Sequence, residues 1–301
     1  MVRRIAEVFE SCLGPPPSGE VWIGDDAAVV ARPQGRLVVA TDAVVAGVHA
    51  DLAVSGLADL GWKALTSTVS DIGAVGARPG HAVVDFCVPP ATDVVLLASG
   101  VAEAAAEWSC PVVGGDVTQA AQLVVAVAVT GWLDGPEPPV LRSGASPGDR
   151  LFVTGPLGGS AAGLRLLRAG LVEPASALAA HLRPRARLRE GACARRAGAA
   201  AMMDVSDGLA LDLDRLARAS GVGIALDTVP VAEGASEEEA MGGGEDYELV
   251  IAAPDVPRLA AAFATMELRP PIEIGRCTAD PRQRTLQGRH FEPTGFQHDL
   301  G

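Results

Sequence analysis

Apolar residues recur along this chain with two periods, and the switching between them sets the expected architecture. Short apolar runs bounded by Gly or Pro predict strands at 27–31, 36–41, 81–88 and 122–133; Gln122-Leu-Val-Val-Ala-Val-Ala-Val-Thr130 is the clearest. Helical spacing predicts a helix from about Ser55 to Val69 with Leu57, Leu60, Ala64 and Leu65 on one face, and another from Thr92, as N-cap, to Trp108. Three prolines in the four residues Pro136-Glu-Pro-Pro139 disfavour both helix and central strand. A domain boundary is therefore expected near 135–147, dividing the chain into residues 1–138 and 139–301.

The second half continues in the same mixed style. Strands are expected at 149–154, 223–228, 247–252 and 271–275, and Gly155-Pro-Leu-Gly-Gly-Ser160 leads into a helix that Gly170 terminates. Another helix is expected over 206–220, with Ser206 as N-cap, Leu209, Leu213 and Leu216 on one face, and Gly221 at its end. The acidic stretch 232–240 reads as an exposed loop or helix start, and Arg183–Arg196 as a solvated helical face. The fold class this implies is mixed α/β (α+β), in two domains.

Composition narrows the function classes. At roughly 100–200 residues per domain, a chain of 301 residues suits two domains. Twenty-four Lys plus Arg against thirty-seven Asp plus Glu give a formal charge of −13, which disfavours general binding to nucleic acid or anionic membrane. The single lysine, Lys63, precedes Ala64, which excludes the Gly-Lys-Ser/Thr ending of a P-loop. Five scattered cysteines without a C-x-x-C pair point to a reducing cytoplasm. The first ten residues alternate charged and apolar positions at helical spacing, unlike the apolar core of a signal peptide, and no apolar run approaches 18 residues.

Two motifs fail on physical grounds. Gly144-Ala-Ser-Pro-Gly148 matches the nucleophile elbow of serine hydrolases, but Pro147 lacks the N–H an oxyanion hole requires there. Gly221-Val-Gly-Ile-Ala-Leu226 lacks the third glycine of a dinucleotide fingerprint, and a strand is expected where that motif needs a helix. What remains is a series of aspartates beside Gly, Ser or Thr at the ends of apolar segments: Asp25 and Asp26, Asp42, Asp71, Asp116, Asp204 and Asp207. Carboxylates gathered at the mouth of an α/β framework repel unless a cation screens them, and hard oxygen ligands suit Mg²⁺ or Mn²⁺. An acidic protein meets a phosphorylated ligand through such a metal or through local Arg, for which Arg142 is the candidate. The N–H groups at Ser206 and Asp207, as a helix start, could meet a phosphate or a metal-bound anion. The glycines before Glu245 permit close backbone approach to a ligand, and Phe296 could stack on a flat one or close the core.

In order along the chain, Ile23-Gly-Asp-Asp-Ala-Ala28, Thr41-Asp-Ala-Val-Val-Ala-Gly-Val-His49, Lys63-Ala-Leu65 with Ser70-Asp71, Gly114-Gly-Asp116, Arg142-Ser-Gly-Ala-Ser-Pro-Gly-Asp149, Asp204-Val-Ser-Asp-Gly-Leu209 and Gly243-Gly-Glu-Asp-Tyr-Glu-Leu249 form a set. With them the chain resembles the thiamine-monophosphate kinases of the aminoimidazole-ribonucleotide-synthetase superfamily. The resemblance implies two α/β domains, the first closing a shared β-barrel with its partner in a homodimer, and ATP-dependent phosphorylation of thiamine monophosphate. By matching motif it implies that Asp26, Thr41, Asp42, Asp71, Asp116, Asp204 and Asp207 hold several Mg²⁺ ions, with Asp42 and Asp207 central to catalysis. It also implies that Gly115, Asp116, Arg142 and Ser206 meet ATP, and that His49, Glu245 and Phe296 face the thiamine phosphate. Ala40, Ala50 and Val117-Thr-Gln119 depart from the family's pattern. Other ATP-dependent members of the superfamily, or a catalytically idle nucleotide-binding protein, are the alternative readings.

Overall fold

The computed structural model describes residues 2–23, 27–31 and 35–298. The chain divides into two compact units, residues 1–72 with 78–135, and residues 73–77 with 136–301. The first contains α1 (Val2–Leu13), β1 (Arg36–Val45), α2 (Leu57–Ala74, whose last two residues fall in the second unit), β2 (Arg78–Val88), α3 (Val94–Glu107), β3 (Val112–Gln119) and β4 (Val124–Leu133). The strands form one sheet in the order β1-β4-β2-β3, with antiparallel pairs except for the parallel pair β2/β3.

Alternation along β4 explains how this sheet packs. Val125, Val127, Val129 and Leu133 are buried while the residues between them are partly exposed, so one face carries the core and the other is open. Ile72 of α2 lies on the covered face where Gly131 has no side chain, and Trp108 Nε1 donates to Thr66 Oγ1 at 3.0 Å. The open face presents large apolar side chains, with Val39 65%, Leu37 54% and Val83 42% exposed.

The second unit holds β5 (Arg150–Val153), α4 (Gly159–Arg168), α5 (Ala175–Leu182), α6 (Leu188–Arg196), β6 (Ala201–Asp204), α7 (Leu209–Ser220), β7 (Gly223–Leu226), α8 (Glu237–Gly242), β8 (Leu249–Ala253), α9 (Val256–Thr265), β9 (Ile272–Thr278), β10 (Arg284–Leu286) and β11 (Arg289–His290). Its seven-stranded sheet runs β11-β10-β7-β9-β5-β8-β6, antiparallel throughout except for β10/β7. Strands β5, β6 and β8 are buried on both faces, between a cluster that includes Leu209, Leu213 and Leu216 of α7 and another that includes Leu259 and Phe263 of α9. These strands accordingly read as continuous apolar runs.

The structure departs from several of the sequence expectations. Among the described residues, the run 27–31 forms only an isolated bridge, Val21 with Val29, closed by two backbone hydrogen bonds and not extended into a ladder. Residues 112–119 form β3 although the pattern gave no strand there; Gly115 runs so close to the Val84 carbonyl that a Cβ would overlap it. Asp93 caps α3 by accepting from Leu96 N–H at 3.1 Å, while the hydroxyl of Thr92, expected as the cap, donates to the Pro89 carbonyl at 2.9 Å. The expected face Arg183–Arg196 is only partly solvated, since Arg195 is buried with Nε donating to the Gly76 carbonyl at 3.0 Å, and Arg187 clasps buried Glu248. The acidic stretch does start a helix: Ser236 and Glu239 form a reciprocal capping box on α8.

Candidate active site

In the second unit the motif residues meet at one turn. Strand β6 ends at Asp204 and α7 begins at Leu209, and the intervening Val205–Gly208 serves as a backbone hub. The Ser206 carbonyl accepts from Glu245 N–H at 2.8 Å, the Val205 carbonyl from Tyr247 N–H at 2.9 Å, and the Asp207 carbonyl from Phe296 N–H at 2.9 Å. Segments about 40 and 90 residues downstream in the chain thus hydrogen-bond to three consecutive positions. Gly244 and Gly295 make the approach possible, since a Cβ on either would stand 2.5 Å from a hub carbonyl. Ser206, Asp207, Glu245 and Phe296 are brought together in this way. Phe296 is 40% exposed, with its ring edge-on to His298 at 4.9 Å between centroids.

The expected N-cap role of Ser206 does not occur. Asp212, fully buried in the first turns of α7, turns back so that its Oδ2 accepts from Ser206 N–H at 3.1 Å and from Asp207 N–H at 3.0 Å. Those two N–H groups, expected to be open to a phosphate, are satisfied internally, and Gly208 with φ 118° occupies the capping position. Burial pushes the Asp212 carboxyl up to about 6, opposed by the Asp207 backbone hydrogen bond, with the nearby charges of Asp204 and Asp207 adding to the rise and Arg215 opposing it. Arg215 Nη1 donates to Asp212 Oδ1 at 2.7 Å and also to Asp207, so one guanidinium balances part of this acidic cluster. Asp212 and Arg215 carried no motif; a charged i, i+3 pair set among buried leucines was the only signal available.

Arg142 is held elsewhere in this unit. Its carbonyl accepts from Ser220 Oγ at 3.0 Å, at the far end of α7 from Ser206, and 12 helical residues span about 18 Å. The structure does not bring its backbone to the hub.

In the first unit, Thr41 and Asp42 lie on edge strand β1, Asp116 on the opposite edge strand β3, and Asp71 in α2. Through the register Asp42–Val127–Val84–Gly115, three strand spacings of about 4.8 Å separate β1 from β3, roughly 14 Å. Thr41 Oγ1 donates to the Val127 carbonyl at 3.0 Å, and Asp42 Oδ1 accepts from Ala43 N–H at 2.8 Å. A hydrogen bond from the Thr118 hydroxyl, and then one from the Val117 backbone, hold the Asp116 carboxyl below the ordinary carboxylate range. His49 Nδ1 accepts from Val45 N–H at 3.0 Å, and buried Lys63 donates to the His49 carbonyl at 3.2 Å. Asp26 lies outside the described residues. Among the described residues no three His, Cys, Asp or Glu side chains form a ready metal cage.

The fold and these motifs define a class. The models of the AIR synthase related protein N-terminal and C-terminal domains match residues 24–133 and 146–286. The thiamine-monophosphate kinase of Rhodopirellula baltica is 35% identical over 94% of this chain and 92% of its own length. Among solved structures, the thiamine-monophosphate kinase of Stenotrophomonas maltophilia K279a superposes with a TM-score of 0.84 at 29% identity, covering 96% of this chain and 97% of that one. AaThiL complexed with AMPPCP and TMP superposes with a TM-score of 0.78 at 31% identity, covering 98% and 96%. The chain belongs to the thiamine-monophosphate kinase family.

Proposed function

We propose that this chain transfers the γ-phosphoryl group of ATP to the phosphate of thiamine monophosphate, releasing ADP and thiamine diphosphate. The observation that carries the reading is the hub at Val205–Gly208, which gathers Ser206, Asp207, Glu245 and Phe296, the residues that the family motifs assign to nucleotide, metal and thiamine phosphate. The AMPPCP and TMP in the complex of the similar AaThiL support the same substrate pair. The acceptor oxygen is already anionic, so the protein has little covalent work to do. Positioning and neutralisation of charge supply the rate, and direct in-line transfer needs no phosphoenzyme.

The donor chemistry fits Mg²⁺. Asp42 and Asp116 are exposed carboxylates, Asp116 is held ionised, and Mg²⁺ commonly takes one or two carboxylates with substrate phosphates and water instead of an all-protein cage. Asp26, Thr41, Asp42, Asp71 and Asp116 in the first unit, and Asp204 and Asp207 in the second, are the residues proposed to hold several Mg²⁺ ions. Bound Mg²⁺ supplies the positive charge that lets two phosphorylated molecules approach. Gly115, Asp116, Arg142 and Ser206 are assigned to ATP, and His49, Glu245 and Phe296 to thiamine phosphate, with the exposed Phe296 ring suited to stacking. Residues 1–138 are read as the metal- and nucleotide-binding, dimerising domain, and 139–301 as the C-terminal α/β domain.

A homodimer is part of the proposal. The open face of the four-stranded sheet carries Leu37, Val39 and Val83, and closing it against a second copy in a shared barrel removes that apolar surface from water. No helix among the described residues is long and apolar enough to cross a membrane, and the five cysteines are free thiols, which supports a reducing cytoplasm. The test is direct: protein, ATP, Mg²⁺ and thiamine monophosphate should give thiamine diphosphate and ADP in equal amounts. A folded, ATP-binding protein that makes neither overturns the proposal.

A further inference from the structure

Between α8 and β8 the segment Gly243–Glu248 forms a strap with an unusual backbone. Glu245 and Tyr247, neither of them glycine, adopt φ of 65° and 51°, on either side of Asp246. Side chains crowd the backbone in this left-handed region, so such residues persist only where surrounding contacts over-determine them, and they concentrate at functional sites. Here the contacts come from two directions. The backbone N–H groups of Glu245 and Tyr247 donate to the hub carbonyls of Ser206 and Val205. The Asp246 side chain reaches the other way, with Oδ2 accepting from Gly158 N–H at 2.7 Å and Oδ1 from Ser160 N–H at 3.3 Å, at the start of α4. That helix terminus favours a negative charge.

The same anchor leads to the Glu245 side chain. Ser160 Oγ lies 3.1 Å from Nδ1 of buried His181, and Glu245 Oε2 lies 3.8 Å from that nitrogen. Asp246 thus fixes Ser160, Ser160 and Glu245 share His181, and Glu245 keeps about a quarter of its side chain exposed. The strap is fastened at its backbone to the hub and at its carboxylate to α4.

We propose that Asp246 is a positioning residue, which by fastening the strap to the first turn of α4 holds Glu245 in place and sets the affinity for the phosphorylated acceptor. This rests on the kinase reading and on Glu245 as a substrate-facing residue. Asn at this position retains an acceptor oxygen for one of the two N–H groups, whereas Ala retains none.

The experiment compares the wild type with Asp246→Asn and Asp246→Ala. KM for thiamine monophosphate should rise in the order wild type, Asn, Ala, by about tenfold or more in the last, while KM for ATP stays within about twofold. Amide hydrogen exchange over Gly243–Tyr247 should quicken in the same order. Unchanged exchange in a folded Ala variant overturns the proposal, and so does a parallel rise of both KM values. If Ala does not fold, the near-isosteric Asn variant decides by the same two measurements. A wild type that forms no thiamine diphosphate defeats the kinase reading instead, and the exchange rates still decide whether Asp246 fastens the strap.

Discussion

Asp246→Asn should gain stability over the wild type as the pH rises. Burial pushes the Asp246 carboxyl up to about 7 from an ordinary 3.8, opposed by the Gly158, Ser160 and Gly159 backbone hydrogen bonds and reinforced by the Glu248 charge. Between pH 4 and pH 7 the folded chain therefore keeps a proton that the unfolded chain has released. Stability must fall with rising pH through that window, because the unfolded state binds fewer protons. A gap of about three pKa units corresponds to about 4 kcal/mol in total, of which roughly 2–3 kcal/mol develops between pH 5 and pH 8. Asn carries no such proton, so the wild type alone loses this amount. For a unit of this size the melting temperature of the variant should climb relative to wild type by roughly 5–10 °C between pH 5 and pH 8. Solvent reaching this part-buried side chain favours the lower figure. The assay is thermal unfolding by circular dichroism at both pH values, in the same buffers. Parallel curves, or a drift in favour of the wild type, refute the reasoning. Paired with weaker binding of thiamine monophosphate, the expected outcome separates a positioning role from a merely structural one, since the variant loses function while its stability relative to the wild type rises with pH.

Two further outcomes follow from the first unit. Asp42→Asn keeps shape while removing one charge from an exposed strand-edge carboxylate. Turnover at limiting Mg²⁺ should fall by about tenfold or more with the circular dichroism spectrum unchanged, and unaltered turnover there defeats the metal role. Val39→Asp sets a carboxylate on the open sheet face, where burial against a second copy costs roughly 3 kcal/mol per side. Over the two sides that weakens the dimer about ten-thousandfold, so sedimentation at micromolar protein should show monomer, and a persistent dimer rules out this face as the interface.

Much of the architecture was legible from local pattern. Val125, Val127 and Val129 alternate with less buried neighbours on β4, Leu209, Leu213 and Leu216 line one face of α7, and Gly221 ends that helix in a left-handed conformation. These features depend on neighbours in the chain, which periodicity and backbone preference report directly. The motif residues were visible for a related reason: aspartates beside small residues at the ends of apolar runs stand out in one dimension.

Tertiary structure decided how the turn after β6 is satisfied. Whether the Ser206 and Asp207 N–H groups face a ligand or an internal carboxylate depends on Asp212 folding back from within α7, and residue types around Ser206 read equally well either way. The left-handed backbone of Glu245 and Tyr247 is likewise invisible in sequence, because neither residue prefers it; partners at Val205, Ser206, Gly158 and Ser160 impose it from elsewhere in the chain. Residue preferences are short-ranged, whereas hydrogen-bond satisfaction belongs to the whole folded unit. The sequence therefore determined most of the elements and the candidate chemistry, and only the folded chain determined which polar groups remain available to a ligand.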